Sequence, residues 1–68
     1  MISRIEMATF RRAFEFALET LTRDLEGAQE CLAEGLDDRT IGSLIDVEDR
    51  FSDMLAARRL FINARRRA

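Results

Sequence analysis

Glu26, Glu30 and Glu34 recur at every fourth residue, and Asp37 and Asp38 follow shortly after. On a helix this spacing stacks three carboxylates on one face. With two more acids beyond, the set has the hard oxygen chemistry of a divalent-cation site. The same pattern equally describes a solvated acidic face, and that is the reading carried forward, with no metal ligand assigned. Cys31 lies inside the ladder, beside Ala28 and Leu32. A lone thiol there is either a small hydrophobe at the edge of an apolar stripe or a reactive nucleophile, and the first reading is preferred. The chain has no histidine, tyrosine or tryptophan, and all its basic residues are arginine. The usual general bases and Schiff-base amines are therefore missing, and one cysteine without histidine cannot build a structural zinc site. No catalytic residue and no cofactor are assigned; the chain is read as a non-enzyme.

The remaining chemistry is cationic. Arg58, Arg59, Arg65, Arg66 and Arg67 all follow the last acid, Asp53, and Arg4, Arg11 and Arg12 lie near the start. Three roles suit the basic C-terminal run. It can offset the dipole of a helix C-terminus, dock on an acidic partner, or contact nucleic-acid phosphates. Residues 13–53 carry twelve acids against three arginines, within a net charge of −2 for the chain, so phosphates are repelled everywhere except at the arginine-rich end.

Periodicity decides which elements place these groups. Met7, Phe10, Phe14, Ala17/Leu18, Leu21, Leu25, Ala28 and Leu32 are spaced by threes and fours and mark one helix over about 4–34. Gly27 inside it is a weakness or a point of close approach. The stretch EGLDDRTIGS (34–43) reads as a turn over about 35–40. Gly35 can end the first helix, and Asp37, Asp38 or Thr40 can accept backbone N–H bonds to open the next. A second stripe, Ile41, Leu44/Ile45, Val47, Phe51, Met54/Leu55 and Phe61/Ile62, marks a helix over about 41–66. The expected fold is all-α: one domain over 1–68, an antiparallel two-helix hairpin. Its basic segments then meet at the open end, and its acids gather toward the turn.

A chain of 68 residues buries a core worth only about 3–5 kcal/mol, and a hairpin shelters each apolar stripe on one side alone. Two hairpins forming a four-helix bundle, or one hairpin with another helical protein, would cover the rest. Candidate interface residues are Phe10, Phe14, Phe16, Leu18, Leu21 and Leu25 on the first helix. On the second they are Leu44, Val47, Phe51, Met54, Leu55, Leu60 and Phe61. Phe16 and Leu60 lie off the stripes beside alanines, either as a second interface or as the edge of a wide core face. Arg58 interrupts the second stripe, where it can snorkel from the core edge or meet a carboxylate such as Glu15 or Glu19. No apolar run approaches the roughly 20 residues of a membrane span. Arg4 and Glu6 interrupt any signal-peptide core, and a cytoplasmic setting is expected.

Residues 46–65, DVEDRFSDMLAARRLFINAR, resemble the C-terminal helix of flagellar rod and hook proteins, with its F-x-D-M-(I/L)-x-A-x-R-x-F pattern. Phe51, Asp53, Met54, Leu55, Ala57, Arg59 and Phe61 match in place, and Asn63, Ala64 and Arg65 match the family's N-A-R ending after a one-residue shift. LEGAQECLAEG (25–35) is similar to the N-terminal helix of flagellar filament-junction proteins. In size, the hairpin is similar to needle, inner-rod and small chaperone subunits of type III secretion systems. These resemblances imply a subunit or small chaperone of an export apparatus, working by helix packing. Leu44, Val47, Phe51, Met54, Leu55, Ala56 and Arg58 also resemble the first helix of all-helical chorismate mutases, where an arginine at the Arg58 position binds a substrate carboxylate. The lysine and further helices that complete that pocket have no counterpart here. The alternative from a different class is a small dimeric RNA- or DNA-binding regulator that uses the arginine-rich end.

Overall fold

The computed structural model describes residues 2–67 and contains two helices, α1 (Arg4–Ala33) and α2 (Asp37–Arg67), joined by three residues. The fold is the expected all-α hairpin. Met1 and Ala68, included in the single domain read over 1–68, lie outside the described residues.

Local chemistry sets both ends of α1. Ser3 has extended backbone, and its Oγ accepts the Glu6 N–H at 3.1 Å while its hydroxyl donates to Glu6 Oε1 at 3.4 Å. This is a variant of the capping box, and it satisfies one of the four backbone donors that every helix start leaves unpaired. At the other end the Leu36 N–H donates to the Cys31 carbonyl at 2.9 Å and the Gly35 N–H to the Leu32 carbonyl at 3.0 Å. That pair of bonds is a Schellman motif, and it requires the left-handed backbone that Gly35 supplies at φ +78°.

The tight motif corrects the expected turn. The chain is already redirected at Leu36, so α2 begins at Asp37, inside the stretch read as connection. Thr40 does not accept a backbone N–H; its hydroxyl donates to the Leu36 carbonyl at 3.0 Å, beside its own N–H at 2.9 Å. Asp37 and Asp38 lie in the first turn of α2, where negative charge meets the positive end of the helix dipole. Arg65, Arg66 and Arg67 occupy the last turn with the opposite, equally favourable sign.

The two helices meet along a strict three-four repeat. On α1 the half-buried or buried positions are Met7, Phe10, Phe14, Ala17, Leu21, Asp24, Ala28 and Cys31, with Thr20 half-buried beside them. On α2 they are Thr40, Ser43, Val47, Met54, Ala57, Phe61 and Ala64, with Ile62 half-buried beside them and Arg50 reaching in at the matching register. A seven-residue repeat of this kind is the seam of a coiled coil. Phe14 faces Phe61 with ring centroids 5.8 Å apart and tilted by 40°. Together with the Asp24–Arg50 contact this fixes an antiparallel register, in which position n of α1 is level with about position 75 − n of α2. The result is a rod of 51 × 14 × 12 Å.

The seam is narrower than the apolar stripes. It takes Ala17, Asp24 and Cys31 where the sequence also offers Leu18, Leu25 and Leu32, and it takes Thr40, Ser43, Ala57 and Ala64 on α2. A single neighbouring helix fills two positions per seven residues, whereas the apolar arc of each helix spans three. Small seam residues admit a close helix, and the bulky ones are left at the sides. Gly27 is not a point of close approach within the hairpin, since a Cβ there would meet nothing within 4 Å.

Candidate functional site

Among the described residues the buried apolar side chains are Leu21, Ala28 and Ala64, while twelve large hydrophobics are exposed. The distribution of those twelve defines the candidate site. Leu18, Leu25 and Leu32 are spaced by seven along α1, in the row that begins with Arg4 and Arg11. Leu44 and Phe51 are spaced by seven along α2, in a row that continues as Arg58 and Arg65. Arg11, Leu18 and Arg65 line one groove beside the Phe14–Phe61 pair, so the two rows flank the same side of the seam. Leu55 stands in the next row outward on α2. Leu18, Leu25, Leu44 and Leu55 are each about two-fifths exposed, Phe51 is half exposed and Leu32 more than half. They form one apolar face along the half of the rod nearer the turn, and arginines continue it toward the open end.

The opposite side of the seam differs. Ala13, Phe16 and Thr20 line a groove there with Arg50, Asp53 and Ala57. Phe16 is 69% exposed at its rim, and Leu60 is exposed on the same side. The flank of small residues expected around Phe16 is thus present, but Asp46 and Asp53 cross it where the other face carries leucine.

The thirteen interface candidates therefore divide. Phe10, Phe14, Leu21, Val47, Met54 and Phe61 are turned into the seam and pack on the sibling helix. Leu18, Leu25, Leu44, Phe51 and Leu55 face outward on one side, and Phe16 and Leu60 on the other. The eight arginines of the basic patch are all exposed: Arg4, Arg11, Arg12, Arg65, Arg66 and Arg67 gather toward the open end, while Arg58 and Arg59 lie near the middle of the rod, level with Ala17 and Phe16. The Arg65 guanidinium lies 6.0 Å from the Phe61 ring centroid, at the outer limit of a cation–π contact. Arg58 pairs with neither Glu15 nor Glu19: among the described residues the ion pair present is Arg50 Nε to Asp24 Oδ2 at 3.3 Å.

Sequence reading missed that pair because it followed apolar residues alone. The signal was available in the spacing, since the three-four repeat through Leu21 and Ala28 passes through Asp24, and that through Val47 and Met54 passes through Arg50. Glu26, Glu30 and Glu34 are exposed. Among the described residues no three acids or cysteines converge in a way that could hold a metal ion. Cys31 is a free thiol, half buried at the turn end of the seam. No described helix is long and apolar enough to cross a membrane. No protein-family model matches the chain, and neither a curated protein nor a solved structure matches it.

Proposed function

We propose that this chain is a non-enzymatic helical interaction module whose uncovered leucine-rich face docks on other helices. The observation that carries this reading is the inverted balance of burial. The seam hides three apolar residues and leaves a connected row of leucines and a phenylalanine in water. Isolated surface hydrophobics are ordinary, but a contiguous patch on one side of a rod marks an interaction surface. The total surface points the same way: 5721 Å² at 7.9 kDa, against about 4400 Å² for a compact monomer of that mass. The resemblance of residues 46–65 to flagellar axial helices supplies the more specific setting, a subunit or small chaperone of a type III or flagellar export apparatus in the cytoplasm. Affinity capture from the native organism tests the module reading, comparing the wild type with Leu25→Glu/Phe51→Glu and Phe16→Glu. The wild type and Phe16→Glu should retain a helical partner that the face variant loses. Identical captured sets from all three would sink it.

A second reading rests on the exposed arginines toward the open end, Arg4, Arg11, Arg12, Arg65, Arg66 and Arg67. They could contact phosphates, and binding of RNA or DNA would then weaken steeply with salt, with a slope that flattens in Arg65→Gln/Arg66→Gln/Arg67→Gln. No binding at low salt removes this alternative.

A further inference from the structure

We infer that the leucine face takes one helix of a different protein, and that this partner helix has an acidic half as well as an apolar half. Its acids lie over the arginines toward the open end, and its apolar residues lie over the leucines nearer the turn. This deepens the interaction-module reading and rests on it.

Both helices change chemistry at the same level of this face. The register set by the Asp24–Arg50 and Phe14–Phe61 contacts arranges it in rungs seven residues, or about 10 Å, apart. Counted from the turn, the rungs are Leu32 with Leu44, Leu25 with Phe51, Leu18 with Arg58, and Arg11 with Arg65. The first two are apolar on both helices, the third is mixed, and the last is cationic on both. The groove does not stop where leucine gives way. Arg11 and Arg65 line it beside the half-buried Phe14–Phe61 pair, so cationic rims stand over an aromatic floor. That arrangement suits a glutamate, whose methylenes lie on the rings while its carboxylate accepts hydrogen bonds from the guanidiniums. Arg11, Arg58 and Arg65 make no ion pair among the described residues, and Glu15 is the one acid lining this stretch. Charge complementarity therefore selects an acidic partner at this end.

The same rungs disfavour a second copy of this chain as the occupant. Docked with like ends together, two copies set Arg11 of one against Arg65 of the other and Leu18 against Arg58, with no acid between them. Docked with unlike ends together and fully overlapped, they set Leu25 against Arg11. A shift that pairs the leucines leaves the arginine ends unmet. One foreign helix meets every rung: from Arg11 to Leu32 the face runs about 32 Å, or about 22 helical residues. The groove beside Phe16 has no comparable layout, since Asp46 and Asp53 cross it.

The probes are two dye-labelled synthetic helices of about 28 residues, with leucine at the inward positions of one half and glutamate at those of the other. They differ in which half comes first, and a third and fourth carry glutamine in place of the inward glutamates. Fluorescence anisotropy at low salt should show one acidic probe binding the hairpin about tenfold or more tightly than its glutamine version. Arg11→Gln/Arg58→Gln/Arg65→Gln should remove that advantage, Leu25→Glu/Phe51→Glu should abolish binding of every probe, and Phe16→Glu should change nothing. Circular dichroism confirms that the variants fold. Equal affinity for the acidic and glutamine probes, or no binding of either acidic probe up to about 100 μM, would overturn the inference. A wild-type dimer in sedimentation equilibrium that Leu25→Glu dissolves would overturn the foreign occupant. In affinity capture from the native organism, a partner lost by Leu25→Glu/Phe51→Glu but fully retained by the arginine variant would leave the module reading standing and remove only this one.

Discussion

Asp24 and Arg50 occupy positions that the coiled-coil repeat reserves for apolar side chains, and their side chains stay 30% and 49% exposed. At 3.3 Å with that much solvent, the pair contributes at most about 1 kcal/mol, and its desolvation offsets part of the gain. Its use is positional: sliding α2 by one turn separates the two charges, whereas leucines there would tolerate the slip. We therefore expect Asp24→Leu/Arg50→Leu to be more stable than the wild type by about 1 kcal/mol, since two half-buried leucines join the seam. The coupling energy of the full double-mutant cycle in urea should stay below about 1 kcal/mol. A much larger coupling would show that the pair holds the hairpin together rather than fixing its register.

Helix boundaries depend on single residues whose effects have opposite signs. A Cβ at Gly27 or Gly42 meets nothing within 4 Å, so Gly27→Ala and Gly42→Ala should each raise stability by about 0.5–1 kcal/mol through helix propensity. Gly35 also has open space around it, but its φ of +78° is costly for a side chain, and Gly35→Ala should lower stability by about 1 kcal/mol. Urea midpoints of the three variants separate backbone strain from steric room. Ser3→Ala should cost about 1 kcal/mol, with amide exchange of Glu6 accelerated before that of the seam, because its side chain takes the Glu6 N–H. The stop at Gly35 was legible in the sequence because one residue type serves that conformation. The start of α2 was not: Asp37, Asp38 and Thr40 suit a cap and a first turn alike, and only the closure of the Schellman motif at Leu36 decides between them. The stripes predicted two helices correctly, yet not which residues of each stripe enter the seam. That choice depends on the neighbour's distance, which alternation of polar and apolar types does not encode.

Across the whole rod, the polar charge layout read from the sequence and the antiparallel fold combine to make stability depend on salt. Within one hairpin, folding brings the basic start of α1 against the basic end of α2, with Arg11 and Arg65 on one groove. It also crowds acids toward the turn. Like charges thus repel in the monomer at both ends, and screening relieves that repulsion. Raising sodium chloride from about 20 mM to about 500 mM shortens the Debye length from roughly 20 Å to about 4 Å, shorter than the spacing between most of these charges. The urea midpoint of the hairpin should therefore rise with salt over this range, as followed by circular dichroism in one titration series. If salt instead destabilised the hairpin, the Asp24–Arg50 attraction would outweigh the repulsion of the gathered arginines.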